Sequence, residues 1–329
     1  MKKTLARKLT DIWYKDPFIG AWLMPFGFLF ADIVRFRKFL YRIGVLKTQR
    51  LPVPVIIVGN ITVGGTGKTP LIIALAKRLQ DAGFKVGIIS RGYGGDALPR
   101  LVTVDSDPAQ VGDEALLIAK QTGCMMAVAP LRVEAGKLLL EHTDCNVILS
   151  DDGLQHYALH RDIEITVIDG ERRFGNGYCL PAGPLREPIH RLQSVDFIVV
   201  NGEKTEANEY EMHITGDTAV NLITGEHKPL SAFAAENKLH ALAGIGNPNR
   251  FFNLLTANGL IFIAHSFPDH YVFQPNDIHF KEPVLMTEKD AVKCTDFATE
   301  QHWFVPITAR LDNHFTEQLL NLLEKKYVR

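Results

Sequence analysis

Cysteine is scarce and scattered: Cys124, Cys145, Cys179 and Cys294 form no CxxC pair, which excludes a disulfide framework and a cysteine-built zinc site and suits a reducing cytoplasm. Net charge is nearly absent, with 36 Lys and Arg against 37 Asp and Glu, so the chain as a whole has no preference for polyanions and no nucleic-acid partner is expected. Internal repeats and low-complexity tracts are also missing, which excludes solenoids, and the composition excludes a largely disordered chain and a polytopic membrane protein. What remains is a composition that is 46% hydrophobic and 22% charged over 329 residues. That is a globular chain long enough for roughly two domains.

The neutral total hides an asymmetry. The first fifty residues hold eleven Lys and Arg against three Asp and Glu, together with ten of the thirty aromatic residues. An apolar run from Phe18 to Val34, interrupted by Pro25 and Asp32, is preceded by Lys2, Lys3, Arg7 and Lys8 and followed by Arg35, Arg37, Lys38 and Arg42. As one helix it reaches roughly 26 Å, short of a hydrocarbon core of about 30 Å, and Pro25 is expected to kink or divide it. Cations on both sides give no orientation signal, and no small-residue cleavage site follows. Residues 1–50 are therefore expected to form a retained anchor or interfacial helix whose basic flanks meet an anionic membrane surface. The alternative is a first helix buried against the rest of the protein.

From residue 51 to 200, buried-strand runs (53–58, 86–90, 147–150, 163–168, 197–200) alternate with helical patterns (70–81, 114–121, 132–141). This rhythm predicts an α/β fold, a P-loop NTPase-like parallel sheet with helices on both faces. A Gly/Pro-rich stretch from Gly175 to Pro188 reads as a functional loop. Residues 201–329 are expected to form a second, smaller α/β domain, closed by an amphipathic helix near 315–326 that could pack on either unit.

The chemistry concentrates in Val58–Thr69, where a strand gives way to a helix through Gly64-Gly65-Thr66-Gly67-Lys68-Thr69. Glycines let successive N–H groups converge on phosphate oxygens, Lys68 supplies a mobile charge, and the Thr69 hydroxyl is placed for Mg²⁺. The strict GxxxxGK[ST] pattern wants glycine at position 62 and finds Thr62, so the loop is of the GGxGK[ST] type. A second hydrophobic strand ends in Asp151-Asp152, a carboxylate pair suited to Mg²⁺, and the residue types leave open which of the two is the ligand. Gln155 and His156 follow and suit polar contacts to nucleotide or acceptor. His156 and His160, four apart, lack a third ligand and make a weak metal site. Ser90-Arg91-Gly92-Tyr93-Gly94-Gly95 lies at the same sheet edge, with Arg91 able to neutralise a phosphate. Asp113, in Gly112-Asp113-Glu114, is either a helix N-cap or a base for a hydroxyl proton.

Taken together, the GGTGKT, SRGYGG, GDE and DDGLQH segments, the GNG…LPAGPLRE loop and the TEKD at 287–290 resemble the tetraacyldisaccharide 4'-kinases, the lipid A 4'-kinases of Gram-negative bacteria. The resemblance implies an enzyme at the cytoplasmic face of the inner membrane. It would move the γ-phosphoryl of ATP to the 4'-hydroxyl of a tetraacylated disaccharide 1-phosphate, giving lipid IVA, with no obligate protein partner. It also implies that Thr62, Gly64, Gly65, Thr66, Gly67, Lys68 and Thr69 hold the nucleotide, that Asp151 and Asp152 serve the metal, and that Asp113 is the base. His270 would partner that base, while Arg186 and Glu187 would contact the acceptor or couple closure to binding. The rival is a GTP- or ATP-driven switch or maturation factor with a GGxGK[ST] loop. Its guanine motif [NT]KxD is missing: Asn237-Lys238-Leu239-His240 lacks the Asp, and in Thr287-Glu288-Lys289-Asp290 the lysine comes one place late.

Overall fold

The structure, a computed structural model, describes residues 12–14, 22–96, 98–236, 238–269 and 271–327. Part of the N-terminal apolar run and His270 lie outside these residues. The chain builds helix α1 (Met24–Arg42), β1 (Val55–Gly59), α2 (Lys68–Asp81), β2 (Val86–Ser90), β3 (Arg100–Val102), α3 (Asp113–Thr122), β4 (Met125–Val128) and α4 (Arg132–His142). β5 (Val147–Asp151), β6 (Ile163–Asp169), β7 (Phe197–Asn201) and β8 (Glu209–Thr215) follow. All five residues of β1, β2, β5 and β7 are buried, because strands covered on both faces need no polar alternation. The two faces do separate by period two. Ile56 and Val58 of β1 pack in the cluster that contains Leu71, Leu75 and Leu79 of α2, whereas Val55 and Ile57 join Val133 and Leu139 of α4.

The next elements are β9 (Thr218–Asn221), β10 (His227–Pro229), β11 (His240–Ala243), α5 (Pro248–Ala257), β12 (Ile263–Ser266), β13 (Val284–Thr287) and β14 (His302–Val305), then β15 (Thr308–Leu311) and α6 (Asn313–Tyr327). A nine-stranded sheet runs β15-β8-β7-β6-β1-β5-β2-β4-β3, and a six-stranded one runs β10-β9-β14-β13-β11-β12. In the larger sheet β8 through β4 are parallel, while β3 and β15 pair antiparallel at the edges. β1 lies between β5 and β6. The chain leaves β1 toward β2 on one side and later places β6 on the other, so a crevice opens beyond the carboxyl ends of these central strands.

The sheets divide the chain differently from the expected break at residue 200. β8 continues the first sheet, and the chain returns to it through β15 and α6 after completing the second. Phe315, Leu319 and Leu323 of α6 lie one turn apart and join the first core. Phe315 meets the ring of Phe197 at 5.3 Å and that of Tyr210 at 5.4 Å. An apolar stripe specifies that a helix is packed, but not on which sheet.

Pro25 does not kink α1. It sits in the first turn, where its missing N–H costs nothing. Gly27 and Ala31 are the buried residues of this helix. A Cβ at position 27 would lie 2.9 Å from the Ala182 Cβ and from the Cys179 carbonyl oxygen, so small side chains let α1 dock closely on the loop before β7. Phe26, Phe28, Leu29, Ile33 and Phe36 are all more than half exposed. The helix is thus docked by a narrow edge, and its apolar side stays open. No helix among the described residues is long and apolar enough to cross a membrane.

Removing the Phe315 ring tests the returning helix. Phe315→Ala is expected to cost about 3–5 kcal/mol in denaturant unfolding. A loss below about 1 kcal/mol would contradict the placement of α6 in the first core.

Candidate active site

The loop after β1 is held from several directions. Gly67 takes φ +100°, and a Cβ there would collide with the Asn201 side-chain amide, which donates to the Thr66 carbonyl at 3.1 Å. Arg172 donates to the Gly65 carbonyl at 2.8 Å and to Asp169 at 2.9 Å. Gly246, from the second sheet's side, approaches the Gly65 amide so closely that a side chain at 246 would collide with it. These contacts preset the loop, so little ordering is left for a ligand to impose. Thr62 departs from the expected nucleotide contact: it is buried beneath the loop, bridged antiparallel to Leu185.

Parallel pairing sets Val58 opposite Asp151, which brings the loop and the carboxylate pair together. Lys68 Nζ donates to Asn60 Oδ1 at 3.3 Å and lies 3.6 Å from Asp152 Oδ1. Asp152 adopts φ +47°, turning the chain sharply out of β5, and its carboxylate accepts from Arg186 at 2.8 and 3.0 Å. Burial alone would raise its pKa, but Lys68 and Arg186 outweigh that and hold it below the usual carboxylate range. Asp151 behaves in the opposite way. Burial, then the charges of Glu114 and Asp152, push it up to about 6 against Lys68 and Arg132. Its Oδ2 accepts from the Ser90 hydroxyl at 3.2 Å, and its carbonyl accepts from Arg132 at 2.8 Å.

Asp151 Oδ1 is buried without a hydrogen-bond partner, and Asp151 and Asp152 both border the cleft beside Lys68. An unpartnered carboxylate oxygen is the kind of hard donor that suits Mg²⁺. Among the described residues no three His, Cys, Asp or Glu side chains converge as a cage, so a cation here would complete its shell with phosphate oxygens and water.

A cleft of ≈ 970 Å³ is lined by Lys68, the Asp pair, Arg91, Tyr93, Gln155, His156 and Arg186, and on its outer side by Phe30, Ile33 and Val34 of α1. A smaller cavity of ≈ 180 Å³ lies on the other side of the loop, bounded by Thr66, Thr69, Ile214, Ile245, Phe251 and Leu254. Gly65, Lys68, Glu114 and Asp269 border both spaces. Asp113 opens α3 at 8% exposure, its Oδ1 accepting the Glu114 N–H at 2.9 Å. His156 is pushed down to about 4 by burial and then by Arg132. Gln155 borders the cleft, yet its amide is engaged by the Asn60 carbonyl at 3.1 Å and Glu187 at 2.8 Å.

Glu187 departs from the expected acceptor contact. It is 1% exposed and accepts from Gln155 and the Tyr157 hydroxyl, with Arg191 at 3.4 Å. Its place is beneath the loop that presents Arg186. Nothing in the local sequence pattern marks Arg132 or Lys289 as site residues. Arg132 begins a helix directly after a strand, a position where a buried charge signals a partner. Lys289, within the TEKD segment, reaches Glu114 at 2.6 Å and Asp269 at 3.1 Å. Asp290 of the same segment accepts from Thr287 at 2.6 Å and from the Gly244 amide at 2.8 Å. It is fully buried and cannot read a guanine, which removes the nearest guanine-motif candidate from the switch alternative.

A family model described as tetraacyldisaccharide-1-P 4'-kinase matches residues 19–324. A tetraacyldisaccharide 4'-kinase of Nitrosococcus oceani is 52% identical over 318 residues, covering 95% of this chain and 93% of its own. One from Methylobacillus flagellatus is 46% identical over 334 residues, covering 99% and 100%. The crystal structure of LpxK from Aquifex aeolicus in complex with ATP superposes with a TM-score of 0.79 at 31% identity, covering 94% of this chain and 99% of that one. The match takes in the phosphate loop, the carboxylate pair, both sheets and most of the returning helix, and the chain therefore belongs to the tetraacyldisaccharide-1-P 4'-kinase family.

Proposed function

We propose that the two cavities divide a lipid phosphorylation between them, with ATP on the loop and a lipid acceptor in the larger cleft. The protein is an ATP-dependent tetraacyldisaccharide 4'-kinase of lipid A biosynthesis, and its product is lipid IVA. One observation carries the division of roles: the cleft beside Lys68 and the Asp pair is walled on its far side by α1, whose apolar face is open. A soluble acceptor has no use for that wall, whereas an acylated one keeps its chains against it while its sugar reaches the phosphates.

In this reading the loop amides and Lys68 grip the β and γ phosphates, and the nucleoside lies toward Phe251 and Leu254. The acceptor's 4'-oxygen attacks the γ-phosphorus, the bond to the β–γ bridging oxygen breaks, and ADP leaves. Asp113 takes the hydroxyl proton, with His270 as its partner. Arg186 serves two ends, holding Asp152 and facing the acceptor, while Arg91, Tyr93 and neutral His156 contact the sugar phosphate. Mg²⁺ held by Thr69 and Asp151 would supply neutralisation of the triphosphate charge; Asp152, already paired, orients Lys68. The Lys and Arg that flank α1 meet anionic lipid at the cytoplasmic face of the inner membrane, where ATP is available.

Three outcomes follow. Lys68→Ala is expected to lower kcat/KM by about 10²–10³ or more with unchanged circular dichroism, and near-normal turnover would remove the loop from the mechanism. Leu29→Glu combined with Phe36→Glu, both at exposed positions, should reduce vesicle flotation and raise the KM for lipid while leaving that for ATP alone. Equal flotation would refute the membrane contact of α1. His156 bears on pH. Its folded pKa of about 4 lies below its ordinary 6.5, so the unfolded chain binds more protons between these values and stability falls as pH drops through that window. His156→Gln should flatten this part of the stability curve, and a ring that titrates above about pH 6 by NMR would negate the assignment.

A further inference from the structure

On the other flank of α1 is a cavity of ≈ 540 Å³ that phosphoryl transfer does not use. Five basic side chains line it, Arg35, Lys38 and Arg42 from α1 and His160 and Arg161 from the segment before β6, and no carboxylate does. Helix spacing separates it from the reaction cleft. Phe30, Ile33, Val34 and Arg37, at i, i+3, i+4 and i+7, face the cleft. Arg35, Lys38, Phe39 and Arg42 repeat that spacing toward the basic cavity, and the two stripes lie roughly 140° apart around the helix. Tyr157 is the lining residue shared by both spaces and stands between them, its ring 5.8 Å from that of Tyr41 and 4.9 Å from the Arg161 guanidinium.

The charge is only partly neutralised from within. Arg35 holds Asp32 at 2.9 Å and Arg161 holds Glu164 at 2.8 Å. Arg42 has no ion-pair partner among the described residues, and Lys38 donates to the Ser194 hydroxyl at 3.4 Å. The Nδ1 of His160 is buried without a hydrogen-bond partner, with Asp162 Oδ1 at 3.9 Å. Burial and then Arg191 hold the Lys38 pKa below its ordinary value, a tension that an incoming anion relieves. Phe39, about half exposed, forms an apolar lip continuous with Phe36 and Ile43 on the open side of the helix. Free phosphate gains nothing from such a lip; a phosphate that carries acyl chains does.

We propose that this cavity binds the phosphate head of one anionic membrane phospholipid, at a site separate from that of the acceptor. The proposal rests on the membrane contact of α1 and adds a discrete, stoichiometric lipid to it. Dihexanoyl phosphatidylglycerol, kept below its micellar concentration, would be titrated calorimetrically into the full-length protein. Saturable binding of one molecule per chain is expected, weakened about fivefold by Arg42→Gln, weakened also by His160→Gln, and unaltered by Lys47→Gln, an exposed cation of the same segment outside the cavity. Equal binding of dihexanoyl phosphatidylcholine, equal binding of inorganic phosphate, or equal losses in Arg42→Gln and Lys47→Gln would overturn it. So would a raised acceptor KM for Arg42→Gln in phospholipid-free detergent micelles, which would assign the cavity to the acceptor's own phosphate. The titration uses no bilayer, so its failure is distinct from a failure of membrane contact, which the Leu29/Phe36 variant reads.

Discussion

The parallel register that sets Val58 beside Asp151 brings an ammonium group and two carboxylates together at the carboxyl ends of neighbouring strands. β1 and β5 are fully buried, and the environments at their carboxyl ends pull the two acids apart. Asp152, between Lys68 and Arg186, is held as a carboxylate. Asp151, deeper and facing Glu114 and Asp152, is pushed up to about 6 by burial and by those charges. Two adjacent residues of the same type thus acquire different chemistry from neighbours on other elements.

The second unit contributes more than a lid. Gly246 packs on the phosphate loop, Arg250 pairs with Asp169 at 2.9 Å, and Lys289 reaches the first turn of α3. Arg172 joins the same set by holding both Asp169 and the loop carbonyl of Gly65. A motion of the second unit would therefore act on the loop backbone and on Glu114 together. α1 works in the opposite sense: a narrow docked edge leaves one broad apolar face open and separates two cavities of different character, one acidic and basic by turns, the other basic.

Much of this was legible in the linear chain. The strand-to-helix position of Gly64–Thr69 and the hydrophobic run ending at Asp151-Asp152 predict a glycine loop and a carboxylate pair at one sheet edge, and the pairing of Val58 with Asp151 brings them together. The basic aromatic segment likewise predicts an open apolar helix. Less was legible wherever two distant segments meet. Glu187 reads like Arg186 in sequence, yet one side chain turns into a buried network with Tyr157 and the other into the cleft. Thr62 sits in the loop motif but beneath the loop. Arg132 and Lys289 acquire their partners only through packing, 19 and 175 residues away along the chain.

The chain by itself determined the alternation of covered strands and helices, the phosphate loop and the amphipathic character of the first helix, since each follows from periodicity or from the φ freedom of glycine within a dozen residues. Tertiary structure alone decided that β15 and α6 return to the first sheet, that the pKa of Asp151 is raised while that of Asp152 is lowered, and that α1 exposes one face while walling two cavities. An apolar stripe or a carboxylate carries no label for its partner. Which surface it meets, and how far water is excluded there, is settled only when the sheets are assembled.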